Sequence, residues 1–241
     1  MLFSCIDHTT LSPLDTEQSV VRFCQDIATK EIGGNRVAAV CVYPRFVEVA
    51  KKALRGSDIS VASVAGGFPH SQIPLTLKVA EVDYVVGCGA DELDIVLSCG
   101  LVKTGLYQQA IDEIATIKEH CGTALLKVIL ETGELCDPFF IEQASKVVIS
   151  GGADFIKTST GKTAVGATPE AVRTMLKTIT EIQFTTGKTI GLKVAGGISS
   201  VEEALLYMHM AEEMMGKQYV KKQTFRVGTS RLTNVLIQNL T

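Results

Sequence analysis

Along this chain, short runs rich in β-branched residues alternate with longer stretches in which apolar residues recur every three or four positions. The runs predict strands at residues 2–7, 37–43, 59–64, 92–96, 124–130, 154–158, 189–195 and 225–228. Between them the pattern predicts helices at 16–29 behind Asp15 as a cap, at 45–54 opened by Pro44, and at 107–120 with Ala110, Ile111, Ile114 and Ile117 on one face. Further helices are predicted at 139–150 after Pro138, at 170–182 after Thr168-Pro169, and at 201–214 capped by Ser200. Repeated strand–helix units imply a parallel sheet, either open and doubly wound or closed. Eight similar units favour a closed (β/α)8 TIM barrel, and no GxGxxG fingerprint follows the first strands. The 241 residues fit one such α/β domain over 1–241 without a linker, since a barrel typically takes roughly 250.

Strand alternation then sorts the side chains. In a parallel barrel the helices cover the outside, so outward strand residues are apolar and inward ones are free to carry chemistry. Leu93 and Ile95 point out while Asp94 points in; Leu126 and Val128 lie opposite Lys127; Ile156 lies opposite Phe155 and Lys157; Leu192 and Val194 lie opposite Gly191, Lys193 and Ala195. Four strands thus aim Asp94, Lys127, Lys157 and Lys193 at one interior. Lysine and aspartate are rarely fully buried unless paired. One such residue reads as a salt-bridged strand end; four in register, towards the strand C-termini, read as an active site.

A lysine cluster has a chemical use. An amine that attacks a carbonyl must be uncharged, yet with a pKa near 10.4 only about one lysine in 2,500 is free amine at pH 7. Lowering the pKa to about 7 takes roughly 4–5 kcal/mol. A second ammonium about 4 Å away supplies roughly 4 kcal/mol at an effective dielectric near 20, and desolvation acts in the same direction. Asp94 offsets the positive charge and is placed to shuttle protons.

Anion-binding signals lie beside these lysines. The turn Thr158-Ser159-Thr160-Gly161-Lys162-Thr163 offers hydroxyls, amides and a cation, although Ile156 stands where a P-loop would have its leading glycine. Ala195-Gly196-Gly197 and Gly228-Thr229-Ser230 close the last two predicted strands, where barrels often bind phosphate. The four histidines form no HxH or HExxH pattern, so no metal or other cofactor is expected. Cys41 projects inward and reads as a buried thiol packed near the site.

Composition narrows the setting. With 23 Lys+Arg against 26 Asp+Glu, the chain lacks the basic balance of a nucleic-acid binder. The densest basic stretch, 217–226, reads as a solvated helix end. Seven scattered cysteines without a CxxC pair point to free thiols in a reducing compartment. No signal peptide and no apolar run of transmembrane length is present, so a cytoplasmic protein without membrane partners is expected.

With those residues in place, the sequence resembles the deoxyribose-phosphate aldolase family nearly end to end. The carrying motifs are Asp7-His8-Thr9-Thr10-Leu11, Val40-Cys41-Val42-Tyr43-Pro44, Gly67-Phe68-Pro69-His70, Ala90-Asp91-Glu92-Leu93-Asp94-Ile95-Val96, Leu126-Lys127-Val128-Ile129-Leu130-Glu131-Thr132-Gly133, Phe155-Ile156-Lys157-Thr158-Ser159-Thr160-Gly161 and Lys193-Val194-Ala195-Gly196-Gly197-Ile198. The resemblance implies that Lys157 forms a Schiff base, that Lys193 perturbs it and helps move protons, that Asp94 gives and takes protons, and that Lys127 lies close by. It places phosphate around Thr160, Lys162, Gly196, Gly197 and Ser230, with Gly228 in the same last motif. It further implies reversible cleavage of 2-deoxy-D-ribose 5-phosphate, within deoxyribose phosphate catabolism, and a homodimer by family precedent.

Three features depart from the family pattern: no helix precedes the first strand, Arg231 follows Ser230 where a second serine is common, and the sequence ends at Thr241 without a C-terminal tyrosine. The residues alone also leave open a phosphate-binding isomerase or epimerase with Asp94 as base, and a non-catalytic sugar-phosphate-binding protein.

Overall fold

The computed structural model describes residues 1–238. Eight parallel strands close into a barrel in chain order: β1 Ile6–Thr9, β2 Ala39–Val42, β3 Ser60–Ala65, β4 Glu92–Val96, β5 Leu125–Ile129, β6 Phe155–Lys157, β7 Gly191–Ala195 and β8 Phe225–Thr229, which pairs back onto β1. Around it lie α1 Glu17–Ala28, α2 Val47–Ala53, α3 Leu75–Gly87, α4 Cys99–Lys103, α5 Tyr107–His120, α6 Thr132–Leu135, α7 Pro138–Ser150, α8 Pro169–Thr186, α9 Val201–Met215 and α10 Leu232–Gln238. The TIM-barrel reading of the pattern holds. None of the described helices is long and apolar enough to cross a membrane.

Local chemistry sets the helix starts. Thr168 accepts the Ala171 N–H with Pro169 at the first helical position, and Ser200 and Glu203 cap each other reciprocally. At α1 the cap is Thr16, paired with Ser19, and not Asp15 as the sequence suggests. Asp15 instead accepts the Thr10 hydroxyl and the Ser12 N–H, which ties down the loop after β1. The first strand also differs from expectation: residues 3–5 form a 3-10 turn and pairing begins at Ile6. Helix α3, with α4, α6 and α10, is absent from the sequence reading. The predicted consequences of the chain's end at Thr241 lie outside the described residues.

The core divides as strand alternation requires. Leu93, Ile95, Leu126, Val128, Ile156, Leu192, Val194 and Val227 face outward and pack with buried helix residues in one continuous apolar layer. A separate, smaller apolar cluster of Ala39, Cys41, Ala62 and Val64 packs inside the barrel, covered by Leu11, Tyr43 and Phe68. The charged side chains of β4 to β8 share the rest of the interior with Phe155, Ile129 and Val96.

Candidate active site

Register puts the charged residues side by side. Asp94 pairs across with Lys127, Lys157 with Lys193, and Lys193 with Arg226. Because each is on the inward face of its strand, their side chains converge. Asp94 is the hub: its Oδ2 accepts from Lys157 Nζ at 2.6 Å and Lys193 Nζ at 2.7 Å, and its Oδ1 accepts from Lys127 Nζ at 2.8 Å. The Lys157 and Lys193 nitrogens therefore share one oxygen on one wall. Lys193 also meets Asp7 Oδ2 at 2.5 Å, and Lys127 meets Glu92 Oε2 at 2.6 Å. Beneath them Arg226 clamps Asp7 at 2.6 Å and Glu92 at 2.8 Å.

The sequence reading missed Asp7, Glu92 and Arg226 as site residues. Glu92 lies two residues before Asp94 and Arg226 two before Gly228, so the alternation that found Asp94 also points to them. Arg226 is corrected outright: assigned to a solvated basic stretch, it is buried in the barrel, over the Phe155 ring. A charge at that depth persists because two carboxylates hold it.

These partners change the electrostatic argument. Lys157 is lowered from the ordinary lysine range first by burial and then by the Lys193 ammonium, with Asp94 pulling the other way. Burial thus outweighs the like-charge crowding on which the sequence argument relied. For Lys193, burial is outweighed by Asp7 and Asp94, and it is held more firmly as an ammonium. Lys127 is likewise raised, its desolvation overcome by Asp94 and Glu92. Burial opposes ionisation of Asp94, but its three lysines hold it well below the usual carboxylate range. Among the described residues, three carboxylates (Asp7, Glu92, Asp94) face three firmly held cations (Lys127, Lys193, Arg226). The cluster is neutral when Lys157 is a free amine.

Above the cluster opens a cavity of about 460 Å³ with Lys157 at its floor. Thr160, Lys162, Gly196, Gly197, Gly228 and Ser230 all line it, as does Arg231. Lys127, Lys193 and Asp94 are buried under the floor, so of the clustered lysines Lys157 is the one that lines the cavity. Gly228 leaves room for Lys193: a Cβ there would stand 3.0 Å from Lys193 Cε and would crowd it. Gly196, at φ +97°, lets the loop after β7 approach the loop after β6, where a Cβ would fall 2.7 Å from Gly166 Cα. Lys162 reaches across the mouth to the Leu11 carbonyl at 2.7 Å.

Thr160 has a second, unanticipated partner. Its N–H and hydroxyl both aim at the buried carboxylate of Glu131, the hydroxyl at 2.5 Å, while its Oγ1 accepts the Lys162 N–H. Glu131 itself holds a left-handed backbone, φ +52°, rare for a side-chain-bearing residue. It shapes the turn that carries Lys162.

A buried amine whose uncharged form is favoured by its surroundings, at the floor of a polar cavity, is equipped to add to a carbonyl. The chain resembles the solved structures of "QR15, an Aldolase" (30% identity, TM-score 0.80, 99% of this chain and 97% of that one) and of a deoxyribose phosphate aldolase from Aeropyrum pernix, described as a unique tetramer (26%, 0.79, 99% and 90%). A Coccidioides immitis protein provisionally assigned as a deoxyribose-phosphate aldolase is similar at 28% identity and TM-score 0.80, over 99% of this chain and 84% of that one. Residues 1–229 match the family described as DeoC/LacD family aldolase, and the chain belongs to that family of carbon–carbon lyases.

Proposed function

We propose that this aldolase reversibly cleaves 2-deoxy-D-ribose 5-phosphate to D-glyceraldehyde 3-phosphate and acetaldehyde through a Schiff base on Lys157. The observation that carries the reading is the Lys157 nitrogen at the cavity floor, sharing the Asp94 Oδ2 with Lys193 inside a cluster that is neutral only when Lys157 is uncharged. Neutral Lys157 adds to C1 of the open-chain sugar, and the hydroxyl so formed takes up a proton from solvent and leaves as water, giving an iminium. The C3 hydroxyl then loses its proton to Asp94 through water, and its O–H electrons form the new carbonyl. The C2–C3 electrons move into a C1=C2 bond and neutralise the iminium nitrogen. Lys193 passes a proton to C2 of the enamine and recovers one from Asp94, to which it is hydrogen-bonded; water then releases acetaldehyde, neutral Lys157 and the proton taken up in forming the iminium.

Lys127 acts from behind, through Asp94. The phosphate lies at the cavity rim, against Lys162 and the backbone of Gly196, Gly197, Gly228 and Ser230, with Thr160 shaping the turn. An isomerase using Asp94 as base is the alternative reading; the Lys157 amine on Asp94 Oδ2 at the cavity floor, for which such an enzyme has no use, favours the aldolase. The reading requires no metal or organic cofactor and carries the expectation of a cytoplasmic homodimer acting in deoxyribose phosphate breakdown.

Borohydride reduction in the presence of substrate, followed by peptide mass spectrometry, tests it: the reduced adduct is expected on Lys157. Lys157→Leu should abolish both adduct and turnover, and a variant that still turned over at the native rate would end the assignment. Activity is expected to survive a chelator; its loss would restore a metal-dependent mechanism.

A further inference from the structure

Helix α3 carries a lysine that the chemistry above does not use. Lys78 is buried at 1% exposure, and its Nζ donates to Ser71 Oγ at 2.6 Å, Ser98 Oγ at 2.8 Å and Glu113 Oε1 at 2.9 Å. Ser98 in turn donates to the same Glu113 oxygen at 2.8 Å. One ammonium thus joins the loop after β3, the residue just beyond β4 and the outer helix α5. Replacing buried ion pairs with apolar residues of similar volume is often neutral or stabilising, so bulk stability is a poor account of this arrangement. What an ammonium offers is direction: acceptors fixed in different directions from one point.

The loop so held is backbone-strained and packs through Phe68 on the apolar cluster inside the barrel. Ser71 sits at φ +58°, a conformation uncommon for a residue with a side chain, and α3 takes a second grip through Glu81 Oε2, which accepts the Gly67 N–H at 2.8 Å. Between these two anchors is Phe68. Its ring meets Tyr43 edge-on at 6.3 Å and, with Leu11, covers the inner cluster of Ala39, Cys41, Ala62 and Val64. Leu11 is the residue whose carbonyl holds Lys162. The Cys41 thiol, on the far side of that cover, feels the charges of Asp94, Lys193 and Lys157.

We propose that Lys78 is a positioning residue that locks the loop between β3 and α3, and with it Phe68, as the wall that keeps water away from Lys157. The inference rests on Lys157 being the nucleophile. Burial is the main influence favouring its uncharged form, so a loosened wall returns the amine towards its ordinary, protonated state.

The test is the pH profile of kcat/KM. Lys78→Met is expected to lower kcat/KM at pH 7 by about tenfold and to move the acid limb up by about one pH unit, with activity recovering at high pH. In a Phe68→Ala background, where the wall is already gone, Lys78→Met should add less than about twofold, since coupled residues are not additive. A folded Lys78→Met protein with the native pH profile, or one whose loss is undiminished alongside Phe68→Ala, overturns the proposal. Should Lys78→Met fail to fold, Ser71→Ala removes only the loop-side acceptor; the same upward shift is expected, and an unmoved limb overturns the proposal. Borohydride trapping of the wild-type enzyme separates the two readings: no adduct on Lys157 refutes the nucleophile, whereas an adduct with an unmoved limb refutes only Lys78.

Discussion

Asp91 and Asp94 stand three residues apart, just before β4 and in its middle, and both accept from lysine, yet they do different work. Asp91 is 41% exposed in its side chain; its Oδ2 accepts from Lys51 at 2.9 Å and from the Val61 N–H at 2.7 Å. Asp154, three residues before Lys157, repeats the device with Lys118 at 2.6 Å and the Leu126 N–H at 2.7 Å. At this rim each carboxylate ties one lysine and one amide of the preceding strand, with water near enough to replace either. Inside, Asp94 is wholly buried and its oxygens are divided among three lysines, two of which hold further carboxylates. Where water is excluded, the protonation of each group depends on its neighbours. The rim pairs fasten the barrel; the interior cluster sets the state of one amine.

Lys127→Met breaks the interior cluster most directly. Three carboxylates would then face only Lys193 and Arg226 as firmly held cations, and Lys157 would take up the missing proton. Loss of a unit positive charge roughly 6 Å away at an effective dielectric near 20 amounts to about 3 kcal/mol, or about 100-fold less free amine. We expect kcat/KM at pH 7 to fall by about that factor, with the acid limb of its pH profile displaced upward. Stability should drop by roughly 3–5 kcal/mol in denaturant unfolding, the usual consequence of removing one partner from a buried ion cluster. Native activity at pH 7 would show that cluster neutrality does not govern Lys157.

Adjacent residues on β1 sharpen the same point. Asp7 faces in and stays charged because Lys193 and Arg226 hold it against its desolvation. His8 faces out, stacks on Phe23 at 4.1 Å, and is driven down to about 4 by burial, its Nδ1 without a partner. A histidine with a lowered folded-state pKa stays neutral while the unfolded chain gains a proton. Stability is therefore lost as pH falls from about 6.5 towards about 4. Between pH 7 and 4.5 this group should cost about 2–3 kcal/mol. Urea unfolding of His8→Leu at the two pH values should show a smaller decline by that amount; equal declines would mean His8 is protonated in the folded state.

Much of this was legible in the sequence because two periodicities are visible there. Outward apolar residues of β4 to β7 and inward Asp94, Lys127, Lys157 and Lys193 follow from a period of two, and the glycines just after β7 and near the end of β8 mark the cavity rim. Arg226 was masked by its neighbours, since Lys217, Lys221 and Lys222 just before it are surface residues; the alternation within β8, which pairs it with Lys193, is the signal that places it inside. Helix α3 was missed because apolar residues occur around its whole circumference: Val82 and Val85 are buried while Leu77 and Tyr84 are exposed, and a lysine occupies a core position. Glu131 could not be read at all, because its bond to Thr160 spans two loops and depends on a left-handed backbone.

The rim supplies the smallest effects and the most discriminating control. Asp91→Ala leaves the Val61 N–H without its acceptor, so about 1–2 kcal/mol of stability should be lost. Lys51→Met removes only a half-exposed ion pair and should cost less than about 1 kcal/mol. In both variants the pH profile of kcat/KM should overlay that of the wild type, because neither residue touches the interior cluster. A displaced acid limb in Lys51→Met, at unchanged stability, would mean that charge at the rim reaches Lys157 through the strand, and the division between fastening and reacting carboxylates at β4 would fail.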